Sequence, residues 1–176
     1  MKVLLSGAQG VGKTTLTNIL RPQFNIVFDE VVRGLAKRGF KVNEAGNDET
    51  QLAVMEAHLE NLKAQADLIL YDRGVLDCAS YSLDLSKQSK ITPETLGKIM
   101  DSLESNISKY DYIFYIKPEF EIEDDGFRDT SKAYQKRIVE CFDSIIKKYN
   151  IPVVRLSGSI DTRIKKIKDT LNSIKF

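Results

Sequence analysis

The chain opens Met1-Lys2-Val3-Leu4-Leu5-Ser6 and continues Gly7-Ala8-Gln9-Gly10-Val11-Gly12-Lys13-Thr14. The second part fits the pattern Gly, four residues, Gly-Lys-Ser/Thr, which is that of a phosphate-binding loop. Val3, Leu4 and Leu5 form a short apolar strand, and residues 14–20 suit a helix, so the loop lies where the chemistry needs it. Glycines let the backbone turn at positive φ and bring its N–H groups against phosphate oxygens. The following helix directs its partial positive charge at the same anion. Lys13 is placed to reach the β- and γ-phosphates, and the Thr14 hydroxyl to hold Mg²⁺. The residues expected around the phosphates are Gly7, Gln9, Gly10, Val11, Gly12, Lys13, Thr14 and Thr15.

Composition bounds the rest. With 176 residues the chain reads as a single domain large enough for a real core. Lys and Arg number 26 against 25 Asp and Glu, a net charge of +1, with 42% apolar residues. Such near-neutrality disfavours nucleic acid as an obligatory partner, although a local basic groove is compatible with it. Cys78 and Cys141 lack metal-ligand spacing and read as reduced core thiols. No apolar run reaches the length of a membrane span, and Met1 leads straight into the first strand, so a cytoplasmic protein without signal peptide is expected. The lone histidine, His58, reads as a surface or packing residue.

Along the chain, strands are expected at residues 24–28, 67–71, 112–116 and 152–156. Helices are expected over residues 31–38, from a capping-box start at Asp48 and Gln51, over 75–85, from Thr92-Pro93, up to Tyr149, and after Ser159. Leu52, Met55, Leu59, Leu62 and Ala66 are spaced as the buried face of the helix that begins at Asp48. Apolar strands without period-two alternation are buried on both faces. The fold class is therefore α/β in three layers, a five-stranded, mostly parallel sheet with helices on both faces. Ligands of such sheets bind beyond the carboxyl ends of the strands, where several charged groups should converge.

Asp72-Arg73 follows the third strand, the place of a second magnesium ligand (Asp72) and of a guanidinium near the transferred phosphoryl group (Arg73). Asp29-Glu30 ends the second strand, with Arg33 on the same helical face. An acceptor hydroxyl needs a carboxylate to take its proton, whereas an acceptor phosphate needs arginine. Glu30 is favoured over Asp29 as base or hydroxyl ligand. Arg128, in the charged loop before the sixth helix, suits a basic lid over the phosphates, while Lys132 and Lys136 read as solvated. Ser157-Gly158-Ser159, with Arg163 one turn on, is placed to border a purine ring.

Taken in order, Gly7–Thr14, the acid with an arginine three or four residues on, Tyr71-Asp72-Arg73-Gly74 with Asp77 and Tyr81, and Asp125-Gly126-Phe127-Arg128 carry a resemblance. The chain resembles small P-loop kinase or ATPase domains of the nicotinamide riboside kinase type found in NadR. It is more distantly similar to thymidylate and deoxynucleoside kinases. The resemblance implies a P-loop NTPase fold, ATP with Mg²⁺, and a small nucleoside or nucleotide acceptor, in a monomer or homodimer of the kind common in phages. It supports Asp72, Arg73 and Arg128. A partner-regulated ATPase and a polynucleotide 5′-kinase are the alternatives left open.

Overall fold

Five strands lie in the order β2-β3-β1-β4-β5, and all four pairings are parallel. They are β1 (Lys2–Gly7), β2 (Ile26–Phe28), β3 (Ile69–Asp72), β4 (Tyr112–Ile116) and β5 (Val154–Leu156). Between them run α1 (Lys13–Leu20), α2 (Val31–Lys37), α3 (Asp48–Asn61), α4 (Val75–Lys87), α5 (Pro93–Asn106), α6 (Asp129–Lys148) and α7 (Ile160–Asn172). This computed structural model describes residues 1–119 and 129–172. Val3, Leu4, Leu5, Ile69, Leu70 and Phe114 are wholly buried, as strands covered on both faces require. Helix α1 packs with α7, while α3, α5 and α6 pack around α4.

The order of strands decides where a ligand can bind. The connection leaving β1 runs through α1 to β2 on one side. The connection leaving β3 crosses β1 to reach β4 on the other. Right-handed crossovers in opposite directions put their helices on opposite faces and open a crevice between β1 and β3. Leu5 pairs with Asp72 in register, so the phosphate loop and the Asp72-Arg73 dipeptide leave the sheet side by side.

At the other flank of β1, Gly7 pairs with Ile116 of β4. Its φ is +147°, and a Cβ added there would lie 2.3 Å from the Ile116 carbonyl oxygen. Only glycine lets the loop leave the sheet at this point.

The face expected for α3 holds in part: Met55 and Leu62 are buried and Leu59 packs against the core. Leu52 is exposed, the helix ends at Asn61 before Ala66, and the face turned inward carries Thr50, Gln51, Val54, Met55 and His58. Polar side chains are buried here because they line a pocket, which apolar spacing cannot register. The cap is Asn47, whose side chain accepts from Thr50 N, rather than Asp48. The Asp48 carboxylate instead accepts from the backbone N and Oγ1 of Thr92, both at 2.8 Å, joining α3 to the start of α5. Strand β2 is shorter than expected, since Phe24 follows a one-turn 3₁₀ helix at Arg21–Gln23. Both cysteines are free and buried.

The two glycine environments make a paired test. Gly34 in α2 is exposed, with nothing within 4 Å of an added Cβ. Gly34→Ala should stabilise the fold by about 0.5–1 kcal/mol through helix propensity. Gly7→Ala should cost more than about 2 kcal/mol through the steric conflict at Ile116. Urea unfolding of the two variants checks both signs.

Candidate active site

The phosphate loop turns through Gly10 (φ +76°) and Gly12 (φ +88°) and passes directly into α1. Lys13 Nζ donates to the carbonyl oxygens of Gly7 (2.7 Å) and Ala8 (2.6 Å). Burial, aided by the nearby Arg73 cation, lowers its pKa to about 7, against the opposing pull of Asp77, Asp72 and Glu30. The first residue of α1 thus offers a dehydrated amine to an anion at the helix start. Thr14 and Thr15 are exposed at the mouth of the loop.

Asp72 ends β3, 3% exposed, and Thr14 Oγ1 donates to its Oδ2 at 3.1 Å. Burial raises its pKa, with Lys13 and Arg73 pulling the other way. Among the described residues this carboxylate has no ion pair within 4 Å. A hydroxyl and a buried, unpaired carboxylate oxygen form a hard donor set that suits Mg²⁺. Thr14 and Asp72 are the residues that would hold it.

Arg73 occupies a left-handed backbone conformation, φ +74°, unusual for a residue with a Cβ. Four groups hold its side chain there. Nε pairs with Glu30 Oε1 at 2.7 Å, and Nη1 reaches Asp77 Oδ1 (3.5 Å), the Gly7 carbonyl (3.3 Å) and Tyr81 Oη (3.3 Å). The guanidinium also lies over the Tyr81 ring, 5.2 Å from its centroid. Burial works to lower the Arg73 pKa, but Tyr81, Asp77 and Glu30 outweigh it and hold the side chain firmly charged.

Asp77, in the first turn of α4, is the hub that the expected catalytic set lacked. It accepts from Ser6 Oγ (2.7 Å), Gly7 N (3.2 Å) and Gly74 N (3.1 Å). Tyr81, one turn further, donates to Gln9 Oε1 at 2.9 Å, and Gln135 Nε2 of α6 donates to the Gln9 carbonyl at 2.6 Å. In sequence, Asp77 is indistinguishable from an ordinary first-turn acid. The only signal for it and Tyr81 was their position after Asp72-Arg73.

Two pockets flank this core. One, about 420 Å³ with its mouth, is lined by Glu30, Arg73, Asp77 and Tyr81 and by Thr50, Gln51 and His58 of α3. Ser82 Oγ donates to Gln51 Oε1 at 2.8 Å. His58 is 2% exposed, and burial, with Arg73 nearby, lowers its pKa to about 3, so the ring stays neutral. The other pocket, about 830 Å³ with its mouth, lies past the phosphate loop. Gly10–Gly12, Lys117, Glu119, Gly158, Ser159 and Arg163 line it. Arg163 is buried, donates Nη1 to the Val11 carbonyl at 2.8 Å, and has Nη2 3.4 Å from Glu119 Oε1. Glu119 also accepts from Gly158 N at 2.6 Å. The short segment after β5 therefore does border a pocket, with Arg163 as its floor.

Of the residues expected in the site, Gly7, Gln9, Gly10, Val11, Gly12, Lys13, Thr14, Asp72, Arg73 and Glu30 come together. Arg33 touches the cluster only from outside, with Nε 3.2 Å from Glu30 Oε2 and its side chain 72% exposed. Asp29 is turned away from the pocket and pairs with Arg21 on the surface. Adjacent residues leaving a strand face opposite ways, so only one acid of the pair can enter. Arg128 lies outside the described residues.

The sequence matches the family model AAA_28, described as an AAA domain, over residues 2–163. The chain belongs to this family. No curated protein matches the AAA_28 chain. Among solved structures it is similar to deoxyadenosine kinase from M. mycoides with the products dCMP and dCDP. The identity is 20%, the TM-score 0.74, and the match covers 99% of this chain and 100% of that one. It is similar to NadR protein in complex with NR at 18% identity and TM-score 0.74, covering 98% of this chain and 50% of that one. It therefore spans about half of the NadR chain. Thymidylate kinase from Candida albicans matches at 18% identity and TM-score 0.64, over 99% and 92% of the two chains. The AAA_28 domain shares with these proteins a P-loop kinase fold.

His58 gives the site a measurable pH signature. A folded pKa of about 3 against an ordinary 6.5 means that the unfolded chain binds a proton the folded one refuses. Stability contributed by the neutral ring is complete above pH 6.5 and is lost as pH falls from there toward 3. Below pH 6, unfolding free energy should fall faster in the wild type than in His58→Leu, by about 1 kcal/mol per pH unit. Urea titrations of both proteins between pH 7 and 4 check this.

Proposed function

We propose that this domain transfers the γ-phosphoryl group of ATP to a small nucleoside or nucleotide. The observation that carries the reading is Arg73. One guanidinium nitrogen reaches the phosphate-loop carbonyl of Gly7, while another holds Glu30 in the wall of the neighbouring pocket. A donor site and an acceptor site thus share one fixed cation at their junction. That is where phosphoryl transfer develops charge.

In this reading the pocket floored by Arg163 takes the base of ATP, and the loop amides and Lys13 take its phosphates. Mg²⁺, held by Thr14 and Asp72, would neutralise phosphate charge. The pocket lined by Glu30 and α3 takes the acceptor. Both Glu30 oxygens face arginines, so an acceptor hydroxyl reaches the carboxylate by displacing the exposed Arg33 rather than the buried Arg73. Glu30 then orients that hydroxyl and accepts its proton. If the acceptor is a monophosphate, Arg33 and Arg73 bind its charge instead. Arg128 is proposed to add positive charge over the transferring group.

ADP release from Mg·ATP against a panel of acceptors tests this. The panel holds nicotinamide riboside, nucleosides, deoxynucleosides, their monophosphates and a 5′-hydroxyl oligonucleotide. One small acceptor should raise the rate far above the acceptor-free background. Equal rates with and without acceptors would transfer the reading to an ATPase. Lys13→Ala should lower turnover by about 10²-fold or more while the fold survives, because a desolvated amine contributes little to stability. Asp72→Asn should lower kcat more than it weakens ATP binding, as judged by nucleotide titration alongside turnover.

A further inference from the structure

Helix α6 reaches across the molecule to the outer wall of the acceptor pocket. Val42 and Asn43 line that pocket, and Asn43 begins a one-turn 3₁₀ helix, Asn43–Ala45. Asn43 holds a left-handed φ of +55°, which asparagine tolerates, so the segment can take the tight turn that forms the wall. Three contacts keep it there. Gly46 packs so closely that an added Cβ would lie 2.9 Å from Leu85 Cδ1 and 3.0 Å from Gln51 Nε2. Lys90 Nζ donates to the Glu44 carbonyl at 2.6 Å. Arg137 of α6 pairs through Nη2 with Glu44 Oε1 at 2.8 Å.

The Arg137 contact differs in kind from the other two. Its Nε is bound at 3.0 Å to Oδ1 of Asp84, whose side chain is 2% exposed on α4. Its guanidinium also lies over the Tyr134 ring, 5.4 Å from the centroid. The fork therefore has a buried, immobile end and a half-exposed end that grips the wall. Tyr81, one turn before Asp84 on α4, lines the same pocket. Two residues before Arg137, Gln135 holds the Gln9 carbonyl of the phosphate loop. One helix thus touches the loop with one side chain and the acceptor wall with another.

We infer that Arg137 is a positioning residue that sets acceptor affinity by fixing the segment of Val42, Asn43 and Glu44 through Glu44, without touching either substrate. The inference rests on the phosphotransfer reading above. Arg137 itself is a poor residue to remove first, since its loss leaves the buried Asp84 carboxylate without its cation. Glu44 breaks the grip and leaves the Arg137–Asp84 pair intact.

The test measures steady-state kinetics on the acceptor from the panel that the wild type turns over fastest. Glu44→Ala should raise the acceptor KM by about fivefold or more, with kcat and the KM for ATP within about twofold. Glu44→Gln keeps an acceptor oxygen for the guanidinium and should fall between Glu44→Ala and wild type. The melting temperature of Glu44→Ala should stay within about 2 °C of wild type. An acceptor KM within about twofold of wild type in Glu44→Ala would overturn the inference while leaving the kinase reading intact. So would a proportional rise in the KM for ATP, which is what general loosening produces. A wild type that phosphorylates nothing in the panel would overturn the kinase reading, and this inference with it.

Discussion

A carboxylate withdrawn from water holds the centre of this molecule together. Asp77 is 2% exposed, and burial raises its pKa. Donors from three directions oppose that: Ser6 and Gly7 at the end of β1, Gly74 before α4, and Arg73 after β3. Past the last register pair of β1 and β3, Arg73 N still donates to the Leu5 carbonyl at 3.1 Å, and then the strands part. Asp77 continues the connection beyond Leu5 and Asp72 with a side chain. Asp77 fixes the spacing between phosphate loop and Asp72-Arg73 together with the direct bonds Thr14–Asp72 and Arg73–Gly7. A cleft whose walls are built from two loops thereby becomes rigid at its base.

Charge accounting around that hub explains the division of labour among the remaining acids. Asp77 and Glu30 take the two sides of the Arg73 guanidinium, and among the described residues Asp72 is left with a hydroxyl partner. Of these three acids, the one with no cation within 4 Å among the described residues lies beside Thr14, at the mouth of the phosphate loop. The positive φ of Arg73 belongs to the same arrangement. The strain of a left-handed arginine persists because carboxylates, a carbonyl and an aromatic ring over-determine its side chain.

Much of this could be read from the residues in order, and the parts that could not share a cause. Loop, lysine and Asp72-Arg73 were legible because each lies at a strand end in a local pattern, and strand ends of a parallel sheet converge by topology. The inner face of α3 was legible only in part. Its phase was read from leucines, whereas Gln51 and His58 turn inward to line a cavity, and hydropathy places such residues outside. Asp77 looked like a helix-start acid because its partners Ser6 and Gly7 are some seventy residues away. The choice of Glu30 over Asp29 was readable in principle from strand alternation. The exposed position of Arg33 depends on how far α2 stands from the pocket, which no spacing conveys.

The contacts that finish the phosphate loop come from far down the chain. Gln135 binds Gln9 across 126 residues, and Arg163 binds Val11 across 152. The loop is therefore made before the residues that brace it. While the chain is being made, its glycines leave the ribosome long before α6 and α7 exist to brace them. The pocket floored by Arg163 forms only when the last helix docks, so ligand binding can report that the whole sheet has closed.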